Sequence, residues 1–140
     1  MNLKVRLAVL SFLEFAVWGA YLTCMGIYLN RIGMGNHIGS FFAMQGIVSL
    51  FMPALMGIVA DRWIPAQRLL GYCHLFAGTF MILTAWYGYQ QGSHAEFAIL
   101  FALYSVSIAF YMPTLALSNS VAYHSLTSAA MDIVKAFPPI

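Results

Sequence analysis

Charge is what this sequence lacks most. Of 140 residues, six are Lys or Arg and four are Asp or Glu, 7% in all, where a water-soluble domain carries about 25%. So few charges cannot clothe a water-facing surface, which excludes a soluble globular protein. The net charge of +2 gives no argument for a nucleic-acid partner. Cysteine is scarce as well. Cys24 and Cys73 both fall inside apolar runs, which suits buried, unpaired packing and gives no disulfide framework or metal site. There is no nucleophile–base pair, no phosphate-cradling loop and no metal-ligand spacing, so neither an enzyme nor a cofactor is expected.

What is present is apolar. Hydrophobic residues make up 62% of the chain, with 11 Phe, 8 Tyr, 3 Trp and 11 Gly. Four stretches, at about residues 7–29, 38–60, 69–89 and 97–121, meet the roughly 20-residue length of a membrane-spanning helix. The fold class expected is an all-α membrane protein with the lipid bilayer as its solvent. Residues 122–140 read as a cytoplasmic connector. The first stretch follows Lys4 and Arg6 as a signal peptide would, but it is too long, holds Glu14 in its core and lacks a small-x-small cleavage pattern. It reads as a retained helix. Lys4, Arg6, Arg62, Arg68 and Lys135 fall on one side of the membrane and only Arg31 on the other. The basic excess places both chain ends and the turn after the second helix in the cytoplasm.

Two helices carry polar stripes. In the first, Ser11, Glu14, Trp18, Tyr21, Met25 and Tyr28 recur at three- and four-residue steps and share one face. An ionisable Glu inside a spanning helix costs a few kcal/mol on insertion scales, so it faces protein or a water-filled cavity. Glu14 is the candidate proton-coupling residue; the plainer reading is a Glu hydrogen-bonded to a neighbouring helix for packing. In the fourth helix Tyr104, Ser107, Tyr111, Thr114 and Ser118 share a face, with Asn119 beside it and Pro113 in its middle. These residues either line an aqueous cavity or satisfy backbone freed by the proline. Gln45 is the one amide in the outer half of the second helix, and Pro53 loosens its inner third. The third helix is the plainest, and His74 near its cytoplasmic end reads as a packing residue. Three sets of small residues, Gly19 with Gly26, Gly39–Ala43–Gly46 and Gly71–Gly78–Ala85, read as faces for close helix packing.

The second helix ends abruptly in charge. Gly57 lies one turn before Asp61 on the same face, and Arg62 follows. A glycine there admits a close helix beside the carboxylate, so Gly57, Asp61 and Arg62 form a candidate conformational latch. The bland alternative is a solvated turn.

Several motifs recur together: Met1-Asn2-Leu3-Lys4, Ser11-Phe12-Leu13 with Trp18-Gly19, Phe51-Met52-Pro53-Ala54-Leu55 running into Gly57-Ile58-Val59-Ala60-Asp61, Tyr111-Met112-Pro113-Thr114-Leu115, Asn119, and Met131-Asp132-Ile133-Val134 leading to Phe137-Pro138-Pro139-Ile140. On these the chain resembles the N-terminal part of the nucleoside:proton symporters of the major facilitator superfamily. The resemblance implies a protein of about twelve helices in two six-helix halves, with its site between them. The four helices here would be the first part of one half, and the chain is expected to be a fragment that lacks the remainder of the transporter. Helices one and four would line the cavity and helix three would lie outside it. The turn after helix two resembles the superfamily's loop Gly-x-x-x-Asp-Arg-x-Gly-Arg-Lys. Gly57, Asp61 and Arg62 match, whereas Ile64, Pro65 and Ala66 replace its Gly-Arg-Lys part. Helix four has no arginine, which leaves the partner of Asp61 open.

The resemblance implies proton-coupled nucleoside uptake across a bacterial inner membrane. Trp18, Tyr21 and Tyr111 offer aromatic faces to a base; Gln45, Thr114 and Asn119, with Glu14, offer hydrogen bonds to sugar or base edges. Together these are the candidate substrate-binding residues. A sugar or other polar-solute permease on the same scaffold is the competing reading. A complete four-helix multidrug exporter shares the length and the helix-one Glu but not the Gly57–Asp61 turn. A non-transporting membrane subunit is the third class.

Overall fold

The structure, a computed structural model, describes residues 2–136, with side chains described through residue 131. Four long helices account for it: α1 (Leu3–Arg31), α2 (Ile38–Arg62), α3 (Ala66–Gln91) and α4 (Phe97–Ala136). All four are long and apolar enough to cross a membrane. No strand occurs among the described residues. The chain is an all-α, multi-pass membrane protein.

The connections are short, so consecutive helices alternate in direction. α1 stops where Gly33 takes a positive φ of 82°, a conformation that side chains disfavour. The turn closes with Met34 N–H donating to the Leu29 carbonyl at 2.8 Å, and a single 3-10 turn, Gly35–His37, leads into α2. Trp63 to Pro65 joins α2 to α3, and a second 3-10 turn, Gly92–His94, precedes α4.

Every helix extends past its apolar stretch, because a helix does not end where its hydrophobic residues do. The largest departure is in α4. Residues 122–136, expected as a connector, continue the helix to Ala136, giving 40 residues and about 60 Å of length at 1.5 Å per residue. A bilayer core is about 30 Å thick, so α4 projects well beyond one face. Ala122, Ser125, Ala129 and Ala130 are good or tolerable helix residues, and no Gly or Pro interrupts the run after Pro113. The Phe137-Pro138-Pro139-Ile140 segment lies outside the described residues.

α4 is the hub. α2 and α3 pack broadly on it, while α1 meets it over a narrower strip. Tyr104, Leu100 and Ile108 of α4 are fully buried with Phe41 of α2 and Leu29 of α1. Phe41 is tilted against Tyr104 at 4.9 Å and edge-on to Phe101 at 5.2 Å. Outward positions remain apolar: Phe12, Leu50, Leu75 and Ile82 are all more than two-thirds exposed, as lipid-facing residues should be.

The small-residue faces do not behave as expected. A Cβ at Gly19, Gly26, Gly39, Gly46, Gly71 or Gly78 would meet open space. At none of these positions does a neighbouring helix among the described residues come close enough to use the missing side chain; Gly46 and Gly78 border open grooves instead. Among the helical glycines, Gly88 does admit a neighbour: a Cβ there would overlap the Tyr28 hydroxyl.

Candidate functional site

The hydroxyls of the α4 stripe point into the bundle, and three of them reach a different helix each. Tyr104 donates to the Phe41 carbonyl of α2 at 3.2 Å. Ser107 donates to the Ala77 carbonyl of α3 at 2.7 Å. Tyr111 donates to the Glu14 carbonyl of α1 at 2.7 Å. Ser118 bonds its own helix, at Leu115. The stripe therefore ties α4 to its three neighbours. Tyr111 and Thr114, expected among substrate contacts, have their hydroxyls engaged inside the protein.

Glu14 sits at the centre of this region, 3% exposed. The Thr114 hydroxyl lies 3.1 Å from Glu14 Oε2 and 2.6 Å from the Tyr111 carbonyl. It has one hydrogen and can donate fully to only one of them. The bond to Tyr111, three residues back, does not reach the carbonyl that Pro113 frees at Ala109. On the other side His74 of α3 brings Nε2 to 3.0 Å from Glu14 Oε1. This contact has ion-pair distance without hydrogen-bond alignment, and Oε1 has no aligned partner among the described residues. His74 Nδ1 lies 2.9 Å from the Leu70 carbonyl of its own helix. The residues read as plain packing in helix three thus include the side chain that meets the acid across the helix interface.

The α1 stripe faces inward. Trp18 and Tyr21 are half-buried one and two turns beyond Glu14, and Tyr21 stacks on Tyr104 at 5.7 Å. Their polar tips, Trp18 Nε1 and the Tyr21 hydroxyl, are buried without a partner, as is Gln45 Oε1 on α2. Trp18 and Gln45 line a cavity of about 470 Å³ between α1, α2 and α4, with Phe42, Ser49, Pro53 and Met112. Its size falls in the roughly 300–1,000 Å³ range of small-molecule sites. Native proteins leave few buried polar atoms unsatisfied, so the two that border this cavity, on Trp18 and Gln45, mark a place where a further partner fits. Asn119 is exposed and stands apart from this cavity.

Gly57 and Asp61 line a second cavity, of about 530 Å³, at the far end of α2, together with Gln67 of α3 and Ser120, His124 and Ser125 of α4. Asp61 is exposed and has no ion-pair partner among the described residues. A Cβ at Gly57 meets nothing within 4 Å, so no helix among the described residues uses the approach that the glycine allows. Arg62 is exposed beside it.

The family model described as "Nucleoside H+ symporter" matches residues 1–140. The chain is 40% identical over its whole length to the nucleoside permease NupG of Escherichia coli, and to its Shigella flexneri counterpart, and 37% identical to the xanthosine permease of Escherichia coli. It covers 32% of each of these proteins, so it spans about a third of the length of the curated relatives it matches. No solved structure matches it. With four spanning helices, a buried intramembrane acid and a match over every residue, the chain belongs to the nucleoside:proton symporter family.

Proposed function

We propose that this chain forms part of a proton-coupled nucleoside uptake transporter of a bacterial inner membrane, with both its ends on the cytoplasmic side. The observation that carries the reading is the pair of unpartnered polar tips on Trp18 and Gln45, which line one cavity, with the unpartnered Tyr21 hydroxyl and the buried Glu14 carboxylate on the same face of α1 as Trp18. A nucleoside has flat apolar base faces and a rim of donors and acceptors. Two aromatic rings with a free N–H and a free hydroxyl, and an amide oxygen on the facing helix, complement both features. The relatives' names, as permeases for nucleosides and for xanthosine, point to the same substrate class.

In this reading Trp18, Tyr21 and Gln45 contact substrate, and Tyr111 and Thr114 hold Glu14 in place. Glu14 carries the transported proton, because a charged carboxylate is costly in the bilayer and a neutral one is not. Gly57, Asp61 and Arg62 form a latch against helices outside this chain, and the rest of the substrate site comes from those helices. The basic residues at the α1 start and the α2–α3 turn support the orientation.

The test uses the full protein that carries this chain, expressed in bacteria without nucleoside permeases of their own. Labelled nucleoside uptake is expected to saturate, to collapse with a protonophore and to resist competition by excess free sugar. Uptake equal to the empty-vector control, or blocked by free sugar, would refute the reading.

A further inference from the structure

The Glu14–His74 contact constrains where a proton can be. A carbonyl only accepts hydrogen bonds, so the 2.9 Å contact with Leu70 requires a hydrogen on His74 Nδ1. That leaves Nε2 in one of two states: a bare lone pair on a neutral ring, or an N–H on a charged one. Nε2 faces Glu14 Oε1 at 3.0 Å. With no proton between them, a lone pair would meet a carboxylate oxygen that is buried and otherwise unpartnered. Such an arrangement is costly in an apolar interior. With one proton, the two sites read either Oε1–H beside a neutral ring or a carboxylate beside an imidazolium, and the pair is neutral in both.

We propose that Glu14 and His74 act as one proton-holding pair, in which a single proton sits on Oε1 or on Nε2 and passes between them when a small rotation aligns the 3.0 Å contact, while the Leu70 carbonyl fixes the ring's other nitrogen. The transfer balances: the Oε1–H bond breaks as the Nε2–H bond forms, and the electron pair left on Oε1 is matched by the positive ring. The proposal rests on the transporter reading and deepens it. The one-proton pair is neutral and can be closed off from water. The deprotonated pair carries a negative charge and is stable only where water reaches it. Coupling follows, because the loaded pair tolerates occlusion and the empty one does not. In the proposal, burial of the Glu14 side chain, 3% exposed, matches the loaded form.

The surroundings leave the pair alone in this role. The groove beside it is lined by Leu10, Leu13, Val17, Ala77 and Gly78. From α4 the groups facing Glu14 are Thr114 and Tyr111, and from α3 His74, with Cys73 buried next to it among Leu69, Leu70 and Leu117. On α1 the nearest charges are Arg6 and Lys4, at least two turns below. α2 presents no charged side chain between His37 and Asp61. His74 is the more open member, its side chain 41% exposed against 1% for Glu14.

Two experiments on the full protein separate this proposal from the reading beneath it. In proteoliposomes with an imposed pH gradient, His74→Asn should lose accumulation above the outside concentration, as Glu14→Gln does. Exchange of labelled for unlabelled nucleoside should stay within about two-fold of the parent protein, and the double variant should be no worse than either single one. Accumulation preserved in His74→Asn would overturn the proposal, and so would a parallel fall in accumulation and exchange, which marks a structural clamp. The second experiment does not depend on transport. Nitrogen NMR of histidine-labelled protein in lipid nanodiscs, assigned by the signal lost in His74→Asn, should show Nδ1 protonated throughout. Nε2 should titrate at a midpoint that Glu14→Gln moves by at least about one pH unit. A bare Nδ1, or an unmoved midpoint, sinks the pair even if nucleoside uptake is confirmed; a moved midpoint without uptake sinks only the transporter reading.

Discussion

Three hydroxyls hold α4 to its neighbours, and removing them together tests the hub directly. The variant Tyr104→Phe/Ser107→Ala/Tyr111→Phe deletes the bonds to Phe41, Ala77 and Glu14 and little else. Each acceptor is a helical carbonyl that keeps its own backbone bond, so no buried group is orphaned and each loss falls near the low end. Interhelical hydrogen bonds in membrane proteins average about 0.6 kcal/mol by double-mutant cycles. The three reach different helices and should add, giving about 2 kcal/mol for the triple variant. That is roughly a 30-fold change in the folding equilibrium. The assay is unfolding of the full protein by SDS in mixed micelles, followed by far-UV circular dichroism. The triple variant should unfold at a clearly lower SDS fraction, with each single variant in between. A triple variant as stable as the parent would show that packing alone holds the hub.

Further outcomes are expected. Gln45→Leu and Trp18→Phe, which remove an unpartnered carbonyl and an unpartnered N–H, should weaken nucleoside binding without lowering thermal stability; unchanged affinity in both would remove them from the site. Gly88→Ala places a methyl onto the Tyr28 hydroxyl and should cost about 1–3 kcal/mol, part of it recovered by Tyr28→Phe, as thermal unfolding would record. Asp61→Asn should slow transport and leave equilibrium binding within a few-fold, since a carboxylate at a helix terminus is worth roughly 0.3–2 kcal/mol; a collapse of binding in folded protein would contradict the latch.

The spans and the inward face of α1 were legible because they depend on composition and helical period alone, properties of one segment at a time. Glu14 stood out for the same reason, being an acid in an apolar run. His74 did not, because its role depends on the register between α1 and α3, and helix three carries no stripe to signal it. Periodicity also placed Tyr111 and Thr114 on the right face of α4 without saying what that face meets. A hydroxyl that lines a cavity and one that binds a neighbouring carbonyl have the same spacing. The small-residue ladders misled in a related way: a glycine permits close approach, but the partner must be present, and none of these four helices supplies it. The end of α4 was missed because the apolar run stops before the helix does.

Under the proposed function, nucleoside entry carries a proton held at Glu14. Its most direct measurement is the external pH of weakly buffered, de-energised cells expressing the full protein when nucleoside is added. Entry should draw protons inward and produce a transient alkalinisation, which should vanish in Glu14→Gln while nucleoside still equilibrates. Nucleoside entry with no alkalinisation, or the same alkalinisation in Glu14→Gln, would contradict the account.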